Sequence, residues 1–128
     1  MMLLKVHHIA IICSDYSRSK TFYTEVLSLP ILRETYRAGR DSYKLDLAVG
    51  SDYQIELFSF PNPPERPSYP EASGLRHLAF EVDKLEPVIE RLHHHGIETE
   101  EIRTDKQTGK RFTFFADPDG LPLELYER

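Results

Sequence analysis

The sequence predicts an α+β fold built from two copies of one strand–helix–three-strand module. Three observations predict it. The pattern His8-Ile9-Ala10-Ile11 returns as His77-Leu78-Ala79-Phe80, and Gln54-Ile55-Glu56-Leu57-Phe58 returns as Pro122-Leu123-Glu124-Leu125-Tyr126. The His-to-Glu separation is 48 positions in the first copy (56 − 8) and 47 in the second (124 − 77), and a recurring period of this kind marks an internal repeat. Between the copies, five prolines fall within residues 61–70, a density that permits only an extended connector. The expected organisation is a first module at about 1–60, a linker at 61–73 and a second module at about 74–128.

In chain order, Val6 to Cys13 reads as a strand with Ile9 and Ile11 on one face and Val6, His8, Ala10 and Ile12 on the other. Ser14 or Asp15 supplies an oxygen to cap the following helix. In that helix Phe22, Tyr23, Val26 and Leu27 form an apolar stripe, and Ser28-Leu29-Pro30 stops it. Strands follow at Ile31–Arg37, Ser42–Val49 and Tyr53–Phe60. The loops between them, Ala38–Asp41 and Gly50–Asp52, are short enough to require an antiparallel meander. The second copy starts with a strand at Leu75–Val82. Asp83 and Glu86 have capping-box spacing, Leu85, Val88, Ile89 and Leu92 form the apolar face of a helix, and Gly96 closes it. Strands at Glu98–Arg103, Lys110–Ala116 and Pro122–Tyr126 complete the chain.

Composition limits the function classes. The chain has 128 residues, 40% of them hydrophobic, enough for a real core. No apolar run approaches the roughly 20 residues that span a bilayer. A formal charge of −5 disfavours a nucleic-acid surface. The single cysteine, Cys13, excludes an internal disulfide and fits a reducing, cytoplasmic compartment.

The carboxylates of Glu56 and Glu124 each lie between two apolar residues in a strand. Alternation puts those neighbours on one face and the Glu on the other. Ile9, Ile11, Leu78 and Phe80 turn toward the helices, so His8 and His77 share the opposite face with the two Glu, and the small Ala10 and Ala79 leave room there. A buried carboxylate needs a cationic or metal partner. Two imidazoles and two carboxylates together suit one divalent ion, Zn, Ni, Co, Mn or Fe, with positions left for water or substrate.

Through VHHIAI, the Phe22-Tyr23 pair, YQIELFSF, GLRHLAFEVD and FFADPDGLPLELYE, the chain resembles the vicinal oxygen chelate superfamily, most closely its glyoxalase I and bleomycin resistance-like branch. The resemblance implies paired βαβββ modules forming a cupped mixed sheet, a homodimer, and His8, Glu56, His77 and Glu124 as ligands of one divalent metal. By similarity to glyoxalase I, Glu124 and Glu56 are candidate bases, with Glu124 favoured. The implied reaction is a lyase-type isomerisation of a small α-oxoaldehyde adduct through an enediolate. Ile12 stands where glyoxalase I commonly carries an Arg that helps bind glutathione, which counts against glutathione as the thiol. The alternatives are an acyl-CoA epimerase, an Fe-dependent dioxygenase and a non-catalytic metal- or small-molecule-binding protein. Epimerases tend to carry Gln where Glu56 stands, and the dioxygenases use two His and one Glu.

Other polar residues have simpler readings. His7 points away from the site or is exposed, and His93-His94-His95 lie solvated at a helix end. Asp117-Pro118-Asp119-Gly120 is a turn. Arg37, Arg40, Lys44, Lys110 and Arg111 are candidates to hold an anionic substrate at the rim of the site.

Overall fold

The computed structural model describes residues 1–51 and 53–128, with Tyr53 described by its backbone alone; Asp52, expected in the loop before the fourth strand, lies outside the described residues. The chain divides into two units, Met1–Pro64 and Glu65–Arg128, each built on one four-stranded mixed sheet. In each unit a strand and a helix precede three further strands.

In the first unit, β1 (Ile9–Cys13) lies parallel to β4 (Tyr53–Ser59), which pairs antiparallel with β3 (Ser42–Val49), and β3 with β2 (Ile31–Arg37). Asp15 caps α1 (Tyr16–Thr21), its carboxylate accepting the Arg18 N–H at 3.1 Å. The last turn widens to a π-turn over Phe22–Val26, and Leu27 donates to the Phe22 carbonyl at 3.0 Å. Thr24 contributes by returning its hydroxyl to the Lys20 carbonyl at 2.7 Å. The helix ends on Ser28, in the left-handed region with φ 59°, two residues before the proline expected to stop it. Tyr23, Leu45, Leu47 and Leu57 are fully buried, so the apolar sides of the helix and sheet make one core.

In the second unit, β5 (Leu78–Val82) lies parallel to β8 (Pro122–Glu127), followed antiparallel by β7 (Arg111–Ala116) and the two-residue β6 (Arg103–Thr104). The strand expected at Glu98–Arg103 is therefore much shorter and shifted. Its earlier part still touches β7, with the Glu100 N–H on the Phe114 carbonyl at 2.9 Å and the Thr113 hydroxyl on the Glu100 carbonyl at 2.7 Å.

The expected capping box at α2 (Leu85–His94) does not form. Lys84 occupies the N-cap position without a side-chain bond, and Asp83 pairs instead with Arg128 at 3.4 Å. Glu127 of β8 does the capping, accepting the Leu85 N–H at 3.0 Å. The other end closes as the sequence predicts. Gly96, at φ 76°, donates to the His93 carbonyl and Ile97 to the Leu92 carbonyl, both at 2.9 Å, which is the paired bonding of a Schellman motif. The Asp117–Gly120 turn is tied by the buried Asp117 carboxylate, which accepts the N–H groups of Asp119 and Leu121 at 2.9 Å. The connector is also anchored: Arg66 bonds the carbonyls of Leu75 and Arg76 and the Ser68 hydroxyl. Among the described residues no helix is long and apolar enough to cross a membrane.

Candidate metal centre

The first unit assembles one His–Glu pair. Across β1 and β4, Ala10 is the register partner of Glu56, while Ile9 and Ile11 face Ile55 and Leu57. Ile55 and Leu57 are buried in the core, which forces Glu56 onto the other face beside the small Ala10. His8 precedes β1 by one residue and shares the Ala10 face. Its Nε2 lies 3.6 Å from Glu56 Oε1, with the imidazole 42% exposed and the carboxylate 10%. His7 places its Nδ1 2.9 Å from Nδ1 of His8. That contact occupies Nδ1 of His8 and leaves Nε2 toward Glu56. Glu56 is further held by Gln54 Nε2 at 3.1 Å and Lys44 Nζ at 3.8 Å.

The second unit repeats the construction. Ala79 is the register partner of Glu124, with Leu78 and Phe80 opposite Leu123 and Leu125. His77 Nε2 lies 3.3 Å from Glu124 Oε1, and these side chains are 32% and 13% exposed. Phe114, opposite Glu124 in the antiparallel pair, sets its ring edge-on to His77 at 5.0 Å. A cavity of about 470 Å³ opens beside His77, lined among others by Arg76, Glu98, Glu100, Arg103 and Phe114. Among the described residues Glu124 has no Lys or Arg in ion-pair contact, unlike Glu56.

Both pairs suit a divalent ion. Each combines an imidazole nitrogen with a carboxylate oxygen. Bonds of about 2.1 Å place neighbouring donors on one ion roughly 3.0–3.4 Å apart, close to the separations seen here. Each carboxylate is nearly buried, where a cation is its natural partner. Among the described residues no three His, Cys, Asp or Glu side chains gather in one cluster; the donors come as two pairs, one in each unit.

The five cations expected at the rim separate. Lys44 is on the Glu56 face, between Asp46 at 2.9 Å and Glu56. Arg37 and Arg40 stand beside the rings of Phe58 and Phe60. Lys110 is exposed just before β7. Arg111 does not join this group. Strand alternation puts it with Thr113 and Phe115 on the helix side of β7, and its guanidinium is taken by Glu86 at 2.8–2.9 Å and Glu127 at 2.7–2.9 Å. Cys13 is buried. His93 bonds the Thr99 hydroxyl at 3.1 Å.

Sequence reasoning missed two residues. Asp46, nearly fully buried, is the register partner of Glu56; its position between Leu45 and Leu47 is the same signature that singled out both Glu. Arg103 lies over Phe112 and Phe114 at 5.0 and 5.5 Å, a cross-strand relation with no local signal.

A family model described as the Glyoxalase/Bleomycin resistance protein/Dioxygenase superfamily matches residues 5–125. The chain is 63% identical over 128 residues to the uncharacterised protein YwkD of Bacillus subtilis (strain 168), covering 100% of both. It is 32% identical over 127 residues to the glutathione transferase FosA of Serratia marcescens, covering 98% of this chain and 82% of that one. The crystal structure of a glyoxalase family protein from Enterococcus faecalis superposes with a TM-score of 0.91 at 53% identity, covering 99% and 100% of the two chains. Relatives of lower identity include lactoylglutathione lyases and an epimerase. With the repeated His–Glu registers, these matches lead to one conclusion: the chain belongs to the glyoxalase/bleomycin resistance protein/dioxygenase superfamily.

Proposed function

We propose that His8, Glu56, His77 and Glu124 hold one divalent metal ion and that the site catalyses a glyoxalase-like isomerisation of a small α-oxoaldehyde adduct. The observation that carries this reading is the pair of matched registers, Ala10–Glu56 and Ala79–Glu124, each with a histidine Nε2 at 3.3–3.6 Å from the carboxylate. When bound, the metal supplies Lewis-acid polarisation of the substrate oxygens.

The chain's own groups move the proton. Glu124 removes it from the carbon bearing the hydroxyl and thiol substituents and returns it to the neighbouring carbonyl carbon. One C–H bond breaks and another forms, and the hydroxyl proton passes from the first oxygen to the second, so the thiohemiacetal becomes a thioester with no outside oxidant or reductant. The two Glu differ in how they are held. Gln54 and Lys44 hold Glu56, which suits a permanent ligand; among the described residues Glu124 has no such contacts, which suits a base that must shift. Ile12 lies on the Ala10 face and is half exposed, so an apolar contact stands where a glutathione carboxylate would need a cation. Ile12 therefore counts against glutathione as the thiol, and the working form is a homodimer.

The test is turnover by protein reconstituted separately with Zn, Ni, Co, Mn or Fe, using methylglyoxal adducts of several thiols. Thioester formation is expected, with Glu124→Gln lowering kcat by about 10²–10⁴-fold under metal saturation, the variant holding its metal more weakly. Failure of every metal form to turn over any adduct would refute the reaction.

A further inference from the structure

The Glu56 face of the first unit carries a second polar feature that the proton transfer does not use. Phe58, two residues along β4 from Glu56, stacks against Phe60 with ring centroids 6.1 Å apart and planes 11° from parallel. The Arg37 guanidinium lies 4.8 Å from the Phe58 ring and 5.7 Å from Phe60, and Arg40 lies 5.3 Å from Phe60. Arg37 Nη2 donates to the buried, neutral Ser42 hydroxyl at 3.1 Å, and its Nε is buried without a hydrogen-bond partner. Among the described residues no carboxylate pairs with Arg37 or Arg40. A guanidinium packed on aromatic rings has shed part of its hydration, and its fork is shaped to bind an oxyanion bidentately.

The second unit also sets an arginine over two phenylalanines, there on β7, and supplies its partner. Arg103 lies over Phe112 and Phe114, yet it has a partner in Glu100, at 3.0 Å. In the first unit the aromatic wall and the cations are present, and among the described residues no carboxylate pairs with them.

We infer that Arg37 and Arg40, backed by Phe58 and Phe60, form an oxyanion subsite that holds a carboxylate or phosphoryl group of the substrate. It rests on the reading of the Glu56 face as the substrate face, and it makes the substrate an anion with its charged group placed along β4 from Glu56. Lys44, between Asp46 and Glu56, reduces the repulsion an incoming anion would meet from those carboxylates.

The test is NMR titration of ¹⁵N-labelled, metal-free protein with inorganic phosphate and, separately, with acetate at constant ionic strength. The amides of Ser42 and Phe58 are expected to shift saturably. Saturation by phosphate alone identifies a phosphoryl subsite, and saturation by acetate as well identifies a carboxylate one. Arg37→Gln is expected to weaken binding about tenfold or more. Arg37→Lys, which keeps the charge and the stem on the ring, should weaken it less, and Arg18→Gln should leave it unchanged. Linear shifts without saturation, or equal affinity in the Arg37→Gln and Arg37→Lys variants, would overturn the subsite. Metal content measured on the same variants separates the two proposals. Normal metal with lost anion binding in Arg37→Gln supports the subsite, whereas intact anion binding in a protein that takes up no metal removes the metalloenzyme reading and leaves the subsite standing.

Discussion

Glu124 is the register partner of Ala79 across the parallel pair β5–β8, as Glu56 is of Ala10 across β1–β4. A methyl group beside each carboxylate leaves the space that an ion and its ligands need. Ala79 is exposed, so Ala79→Leu should change unfolding stability by no more than about 0.5 kcal/mol. The larger side chain should still crowd His77 and Glu124 and sharply reduce metal retained after dialysis. Retention equal to wild type would show that this space is not used.

The core of the first unit depends on residues that alternate with the ligands. Leu57 is fully buried immediately after Glu56. Leu57→Ala is expected to cost about 2–5 kcal/mol, measured by urea unfolding with little change in slope. A loss well below that range would mean that the sheet and helix close up around the gap.

Much of this framework is legible in the sequence, because it rests on alternation and short loops. The bounds of β2 and β3 follow from them directly, as do the Gly96 closure and the facing of both His–Glu pairs; a cap at Ser14 or Asp15 is legible, and the structure selects Asp15. What escapes depends on distant contacts. Glu127 caps α2 from 42 positions away, so the local Asp83–Glu86 spacing misleads. The stacking of Arg37 on Phe58 joins residues from different strands. The placement of Arg111 is legible too, since strand alternation separates it from Phe112 and Phe114 and puts it on the helix side.

The Arg111 cluster predicts a pH dependence. Hydrogen bonding from Arg111, and then from the Leu85 N–H, holds the Glu127 carboxyl down at about 2, and Arg111 also lowers Glu86. A carboxyl depressed in the folded state stabilises fully above its unfolded value of about 4.3, and that contribution fades as pH falls toward about 2. The urea midpoint should therefore drop over this window, and drop less in Arg111→Gln. Identical acid profiles for the two proteins would contradict the assignment.

In the proposed centre the two His–Glu pairs serve one ion. Metal analysis of purified protein, before and after mild chelation, tests it most directly, alongside His8→Ala, Glu56→Gln, His77→Ala and Glu124→Gln. Tightly held divalent metal is expected in the wild type at one ion per site, with retention weakened by substitution in either pair. No bound metal in the wild type, or retention unaffected by all four substitutions, would contradict it.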